Sequence, residues 1–383
     1  SVGKTGSQNL GAYDWRTLMG SATYNGAAGI VPSSLGNDIL QWEEQIQKEV
    51  GLDYGFWDDR IRGTLGYYQK KVDNLLISDP VPTSSSFSSV YQDMGSLKNR
   101  VDIIKNVQKD LTWNVDFNIA RNRTTLEKLN SSDGYFGGGA YDYFKIEEGG
   151  ETGRFYGYKD AGRLFMTNEE LVGLKTIDPK TGTLKYYRDD YNYERQGDVY
   201  IMDLDGDGQI TADGARTVFG NAHPDFFGGF GSTLYWKGLM LNAVFSYSVG
   251  GDRFWDEEKN SSGDMNVYNT SNRILDSWTV NPGVNASYPR AMYYGWGSNS
   301  IITDRYIHDA SYLRMTALNL SYRLPKHLYK NSILNAVEFT FQATNLFTWT
   351  KYPGMDPQGN FSTTYSAFYN MGIDYSTYPS ART

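Results

Sequence analysis

The stretch Leu111-Thr112-Trp113-Asn114-Val115-Asp116-Phe117-Asn118-Ile119 decides the fold. Apolar and polar side chains alternate without a break along it, and a period of two is the mark of a strand with one apolar and one polar face. A helix would pair apolar residues three apart as well as four apart, and no two apolar residues here are three apart.

Outward from this strand the same alternation recurs. Upstream, Val50, Leu52, Tyr54 and Phe56 share one face, Asp58-Asp59-Arg60 makes a tight turn, and Ile61, Gly63, Leu65 and Tyr67 return as the second half of a hairpin. Another strand is expected over 91–109, after a polar loop at 80–89. Downstream, alternation resumes at Phe230, Leu234 and Trp236, turns at Lys237-Gly238, and continues through Leu239, Leu241, Ala243, Phe245 and Tyr247. Strands are expected again over 312–324 and at Val337, Phe339, Phe341 and Ala343. Each segment is long enough to cross a bilayer as a tilted strand of about 10 residues.

Between these strands lie two long regions rich in Gly, Tyr and charge, 130–198 and 250–302, punctuated by Gly137-Gly-Gly, Glu147-Glu-Gly-Gly and Asp178-Pro-Lys-Thr-Gly182. Short helices are expected inside them at 168–174 and 273–278, the second ended by Asn281-Pro-Gly. Short turns at one end of the strands and very long loops at the other is the asymmetry of an outer-membrane barrel. A soluble sandwich has little reason to place all its loop length on one side.

Composition points the same way. Only 39% of residues are apolar while 15% are aromatic, with 31 Tyr, 9 Trp and 41 Gly, and the mean hydropathy is -0.54. A membrane barrel with one polar face and aromatic girdles averages out as hydrophilic in this manner. No apolar run approaches the roughly 18 residues of a transmembrane helix, and the first residues, Ser1-Val2-Gly3-Lys4-Thr5-Gly6, lack the apolar core of a signal peptide. The chain has no cysteine, which removes disulfides, thiolate metal sites and a cysteine nucleophile. A net charge of -8 and an isoelectric point near 5.1 disfavour nucleic acid, since no basic stripe is available to displace counterions. Roughly nine to eleven strand-like segments are expected, and an open sheet of that size would leave unpaired edges in lipid, where each unsatisfied backbone group is costly. The expected fold is therefore all-β: an antiparallel transmembrane β-barrel, partial, about half of a large plugged barrel.

One stretch has the spacing of a cation site. Asp203-Leu-Asp205-Gly-Asp207-Gly208-Gln209-Ile210 places carboxylates at loop positions one, three and five, glycine at six, and the carbonyl of Gln209 at seven, as a calcium loop does. Carboxylates so closely spaced repel one another unless a cation lies among them. Position twelve is Gly214 rather than glutamate, so Asp213 is the nearest outer carboxylate and the candidate ligands are Asp203, Asp205, Asp207, Gln209 and Asp213. The competing reading is an acidic glycine-rich turn that stays solvated.

Other chemistry is sparse. His223, His308 and His327 have no serine, cysteine or carboxylate at triad or zinc spacing and are read as structural. Glu147-Glu148 and Asp189-Asp190 read as solvated acids, and no enzyme is expected. Loop aromatics offer apolar faces to sugar rings or peptide side chains: Tyr293, Tyr294 and Trp296 beside Gly295 and Gly297, and Tyr135, Tyr141 and Tyr143 with Phe136 around the glycine run. The alternative is that these rings pack the long loops together. Trp57, Trp236 and Trp349, near strand ends, are expected at the membrane interface.

With the segments in place, the landmarks occur in the order of one family. They are Gly51-Leu-Asp-Tyr-Gly-Phe56 with Tyr67-Tyr-Gln-Lys-Lys71, Gly95-Ser-Leu-Lys-Asn99, Trp113-Asn-Val-Asp-Phe-Asn-Ile-Ala-Arg-Asn122, Phe155-Tyr-Gly-Tyr158 and the Asp203 loop. Then come Gly220-Asn-Ala-His-Pro-Asp225, Asp309-Ala-Ser-Tyr-Leu-Arg314, Asn345-Leu-Phe-Thr-Trp-Thr-Lys-Tyr-Pro-Gly-Met-Asp-Pro357 and Tyr378-Pro-Ser-Ala-Arg-Thr383. The chain resembles the C-terminal part of a SusC/RagA-type TonB-dependent outer-membrane transporter across essentially all of residues 1–383.

The resemblance implies a bacterial outer-membrane importer of oligosaccharides or peptides. It also implies a SusD-like surface lipoprotein as lid, the TonB complex as energy source, and outer-membrane lipid around the barrel. The family's plug domain and TonB-engaging segment are expected to be absent from this chain, as are the first strands and the closing strand. Long extracellular loops are expected near 130–225 and 250–305. Two features depart from the pattern: the glycine expected after Arg100 is absent, and Asp213-Gly-Ala separates the acid from Arg216-Thr217. A secreted calcium-dependent glycan-binding β-module is the competing class. It would bury one face of its strands in a common core and stay in buffer without detergent.

Overall fold

The computed structural model describes residues 1–7, 16–24, 27–32, 43–57, 61–73, 76–80, 89–93, 105–108, 112–127, 135–137, 143–167, 175–177, 184–186, 196–206, 214–262, 270–291, 299, 301–330, 332–358 and 371–375. These fall into two compact units. The first comprises Ser1–Asn106, Ala120–Tyr135 and Ile146–Thr152, and the second Val107–Ile119, Phe136–Lys145 and Gly153–Thr383.

In the first unit, β1 (Val2–Ser7) pairs antiparallel with β2 (Glu43–Phe56), which pairs with β3 (Ile61–Asp73). The register sets Val50 against Tyr67, Leu52 against Leu65 and Phe56 against Ile61. All the expected apolar residues therefore share one face, and Val50, Leu52, Phe56, Leu65 and Tyr67 are exposed on it. Gly63 leaves room on this face for the ring of Tyr54, which lies over it. Polar pairs occupy the other face: Thr64 Oγ1 donates to Asp53 Oδ1 at 2.6 Å, and Gln47 stands opposite Lys70. A one-residue slip would exchange the two faces, so the pattern holds the register. The unit also holds a hairpin of Met19–Tyr24 with Ala27–Pro32 and another of Leu76–Pro80 with Ser89–Asp93. The strand expected over 91–109 is thus described as two pieces, Ser89–Asp93 and Lys105–Gln108.

The second unit contains, in chain order, β4 (Trp113–Ala120), β5 (Arg154–Tyr158), β6 (Arg216–Asn221), β7 (Phe226–Trp236), β8 (Leu239–Val249), β9 (Asp252–Trp255), the helix α1 (Asp256–Ser262), β10 (Ile307–Asp309), β11 (Tyr312–Arg323) and β12 (Glu338–Thr350). The wall runs β4-β7-β8-β11-β12, antiparallel wherever a register is defined. Strands of 11 to 13 residues in β7, β8, β11 and β12 are long enough to cross a bilayer, which takes about 9 to 11. Lys237 and Gly238, both at positive φ (46° and 87°), form the two-residue turn between β7 and β8. A turn with both central residues left-handed matches the twist of the strands it joins.

On one face of this wall Leu234, Leu241, Leu320 and Phe341 meet in register. Leu241, Leu320 and Phe341 are exposed, Phe341 by 57%. In water, each large apolar side chain left uncovered forgoes about 1.5–3 kcal/mol of burial; facing lipid, it forgoes nothing. Trp113 and Trp236 mark the short-turn end of this face and Trp349 the other, all three exposed, which is where interfacial indoles sit. Trp57 is 72% exposed just after β2. A bulge at Thr316 shifts the register of β11 against both neighbours, and the Thr316 hydroxyl donates to the Val244 carbonyl at 3.0 Å. On the far side of the bulge Asn345 adopts φ 51°.

Among the described residues, the long segments between strands carry short strands and packed cores, which corrects the expectation of irregular chain there. Phe144–Ile146, β5 and β6 join in one small sheet. β9 pairs antiparallel with β10 and parallel with Ile373–Asp374. Their apolar side chains form two cores. One holds Tyr143, Phe144, Phe155, Phe254, Tyr306 and Ile373, the other Tyr158, Leu164, Val199, Ile201 and Ala215. The helix expected at 273–278 is a short 3-10 turn, Asn272–Asp276, capped by the Ser271 side chain. The segment 168–174 and the last strand, expected near 378–383, lie outside the described residues.

Candidate functional site

The polar face of β7, β8, β11 and β12 carries a ladder at one level of the wall. Thr233, Asn242, Asn319 and Gln342 are successive cross-strand neighbours. Asn242 Nδ2 donates to Thr233 Oγ1 at 2.8 Å and Asn319 Nδ2 to Asn242 Oδ1 at 3.1 Å. With Ser321, Glu338 and Thr340 these residues line a recess of about 390 Å³. The chemistry is that of a wetted lumen: amides and hydroxyls, with the Glu338 carboxylate, that leave donors and acceptors for water or solute.

Nearer the loop end of the same face, Arg314 of β11 is fixed by three partners. Its Nε donates to Thr348 Oγ1 at 3.0 Å, Nη1 to Gln358 Oε1 at 2.5 Å and Nη2 to Asp356 Oδ1 at 2.6 Å. Gln358 in turn donates from Nε2 to the Tyr312 hydroxyl. Beside this cluster opens a cavity of about 470 Å³ whose lining includes Phe227, Ser246, Ser248, Arg253, Tyr312 and Gln358. Ser246 and Ser248 come from the polar face of β8. Arg253 is presented by β9, where alternation sends Phe254 into the first core and Arg253 to the cavity.

Arg253 is electrostatically unusual. Burial lowers its guanidinium pKa below the ordinary arginine value, against the raising influence of Tyr352, Asp374, Tyr312 and Asp252. Its neighbour Asp252 is shifted up by burial and by Asp309 and Asp225, opposed by a backbone hydrogen bond from Asn221 and by the Arg253 charge.

Above the cavity the loop layer is tied by buried polar contacts. The Tyr143 hydroxyl donates to Asp256 Oδ1 at 2.9 Å. His308 Nε2 lies 2.6 Å from Glu258 Oε2, and Arg290 Nε lies 2.8 Å from Asp198 Oδ1. Asn299 Nδ2 also donates to Asp198, at 2.8 Å. Arg305 pairs with Asp160 at 2.8 Å, and burial raises the Asp160 pKa against the lowering effect of that arginine. The structural assignment of His308 now has a partner in Glu258, a carboxylate 50 positions away in sequence.

Of the aromatic residues singled out for ligand contact, Tyr143 is fully buried, edge-on to Phe254 at 4.9 Å. That placement corrects its assignment: the ring packs the loop layer and offers no face to a ligand. Tyr135 lies in the short strand Tyr135–Gly137, and its side chain is outside what the structure describes, as are Tyr141, Tyr293, Tyr294 and Trp296. The Asp203 loop is described at its two ends. Asp203 Oδ1 accepts from the Gly206 amide at 2.9 Å, and the Asp205 carboxylate folds against Gly214, in the space a Cβ there would take. Asp207, Gln209 and Asp213 lie outside the described residues, and among the described residues no three acid or histidine side chains gather to hold an ion.

Sequence reasoning missed Arg253 and Ser246, and gave Tyr312 no role beyond its place in the Asp309–Arg314 landmark. Arg314 and Asp356 fall inside two stretches singled out as landmarks, but nothing in either stretch says that they meet.

No family model matches the chain. Over its full length it is 31% identical to TonB-dependent receptor P3 of Formosa agariphila, of which it spans 38%. Over 91% of its length it is 27% identical to TonB-dependent receptor SusC of Bacteroides thetaiotaomicron, of which it spans 32%. All of the chain superposes on 39% of a chain in the structure of the RagAB peptide transporter, with a TM-score of 0.71 and 27% identity.

Proposed function

The chain belongs to the SusC/RagA-type TonB-dependent receptors of the bacterial outer membrane, and from that premise we propose that the protein imports oligosaccharides or peptides through its lumen. TonB would energise the step and a SusD-like lipoprotein would act as lid. The observation that carries the reading is the two-faced wall, with Leu241, Leu320 and Phe341 exposed on one face and the Thr233-Asn242-Asn319-Gln342 ladder on the other. A lipid face and a wet face on the same strands are what a conduit needs. The proposed activity is transport and needs no catalytic group. A soluble glycan-binding module accounts less well for the exposed apolar face, because it would have to bury that face in a core of its own.

Calcium belongs to the same proposal. The donor set of Asp203, Asp205, Asp207, Asp213 and the Gln209 carbonyl is all oxygen, which suits a hard cation. Those residues would hold it, and its charge would offset carboxylate repulsion where the chain re-enters the wall.

The test is uptake of labelled oligosaccharide and peptide mixtures by cells carrying the full receptor, with and without TonB, with and without a SusD-like lipoprotein. Import that requires both supports the proposal. Uptake indifferent to TonB, or recovery of the protein in buffer without detergent, overturns it.

A further inference from the structure

Two residues that line one cavity each carry a buried polar atom without a hydrogen-bond partner. Among the described residues, the buried side-chain atoms left without a hydrogen bond include Arg253 Nε and Ser246 Oγ. Both residues line the space of about 470 Å³ below the loops. Buried polar groups in native proteins are almost always satisfied, so two orphans on residues that line a common cavity call for an explanation. The acids nearest Arg253 do not supply one. Asp252 Oδ2 accepts from the Asn221 amide at 2.9 Å, and Asp374 Oδ2 accepts from the Tyr352 hydroxyl at 2.7 Å. Both bias Arg253 through space only. Asp309, next along, accepts from Ser311.

A third group completes the set. The Tyr312 hydroxyl accepts from Gln358 Nε2, which leaves its own proton to donate. The residues lining the cavity therefore offer a guanidinium, a serine hydroxyl and a phenol, all donors, beside the apolar surface of Phe227. A guanidinium presents parallel N–H groups that match the two oxygens of a carboxylate. A volume of this size accepts a sugar ring or an amino-acid residue.

We propose that this cavity is a carboxylate-binding subsite, in which Arg253 engages the anion and Ser246 and Tyr312 complete its hydrogen bonds. The assignment deepens the import reading and rests on it: the receptor would favour cargo carrying a free carboxylate, whether an acidic sugar unit or a peptide C-terminus. Burial of an unpaired guanidinium, which already lowers its pKa, would be relieved when the anion arrives.

Calorimetric titration of the purified full receptor in detergent tests this with four probes: tri-galacturonate and its methyl ester, and pentaalanine with a free or an amidated C-terminus. The expected result is tighter binding of at least one acid probe than of its neutral counterpart. Arg253→Gln should weaken the acid probe at least tenfold and leave the neutral one unchanged, with Arg253→Lys recovering part of the loss. Ser246→Ala, which removes only a hydroxyl and spares the fold, should weaken the acid probe several-fold. The acid sugar and the acid peptide arms identify the source of the carboxylate. Equal binding of acid and neutral forms, no binding of any probe, or unchanged acid binding in Arg253→Gln overturns the subsite. TonB-dependent uptake with no preference for acid cargo also overturns it while leaving import standing. Acid binding without any TonB-dependent uptake supports the subsite and overturns import.

Discussion

Arg314 and Asp356 meet at 2.6 Å with side chains only 5% and 6% exposed, and this contact fastens the segment after β12 to the polar face of β11. The pair is buried and further held by Thr348 and Gln358, so removing one partner strands a charge. Asp356→Ala is expected to cost about 3–5 kcal/mol locally, while Arg314→Met combined with Asp356→Leu should recover most of the loss. Hydrogen exchange over 352–358 measures it; unchanged protection in the single variant would contradict the tie.

The two faces of the wall predict opposite responses to charge. Phe341→Arg, on the exposed apolar face, is expected to lower stability in a bilayer by roughly 2–4 kcal/mol, with smaller costs nearer the interfaces. Its neighbour Gln342→Arg, on the polar ladder, should be tolerated. Folding titrations into lipid vesicles compare the two, and equal costs would count against the lipid assignment.

Tyr143 separates packing from ligand contact. Tyr143→Ala removes a fully buried ring and should destabilise the loop layer by about 3–5 kcal/mol. Tyr143→Phe keeps the ring and removes the hydrogen bond to Asp256, and should cost about 1–3 kcal/mol. Ligand affinity in Tyr143→Phe should match the parent; a large loss of affinity with intact stability would return the ring to the binding surface.

The pH response of the loop layer has a defined sign at Asp252. Its pKa is raised in the folded state, chiefly by burial, so folding favours the protonated form. The stabilisation it contributes is full below the ordinary carboxylate pKa and is lost as pH rises through the raised value. Asp252→Asn keeps an acceptor for the Asn221 amide, and should raise local stability at neutral pH and flatten the profile. Hydrogen exchange at 216–225 and 252–255 across about pH 4 to 8, corrected for intrinsic rates, reads the effect. A variant with the parent's profile would exclude Asp252 as its source.

Chelation addresses the Asp203 loop. If calcium orders it, chelator or Asp205→Ala should increase exchange over 196–216 and reduce uptake, while the wall strands keep their protection. An unchanged loop with unchanged uptake would favour the solvated acidic turn.

Much of this protein was legible in its sequence, and the reason is local. Strand identity and face assignment depend on a period of two, which survives whatever the loops do. Val50, Leu52, Phe117, Leu241 and Phe341 could be placed on the apolar face because lipid rewards their alternation directly. The long loops were not legible. They were expected to be irregular because their strands are short: Arg154–Tyr158 and Asp252–Trp255 have five and four residues, too few for a periodic signal to stand out.

The sequence by itself therefore determined the class of fold, the sidedness of each long strand, and the acidic loop at Asp203 as the place to look for a cation. Tertiary structure alone decided the contacts. Tyr143 reaches Asp256 across 113 positions, His308 reaches Glu258 across 50 and Arg314 reaches Asp356 across 42. It also decided which arginine was left over, for Arg253 reads in sequence like any other arginine. Its lack of a partner exists only because β9 turns Phe254 into the core and sets Arg253 toward a cavity where the neighbouring acids are engaged elsewhere. Alternation is written residue by residue, whereas pairing depends on how the loops close in space.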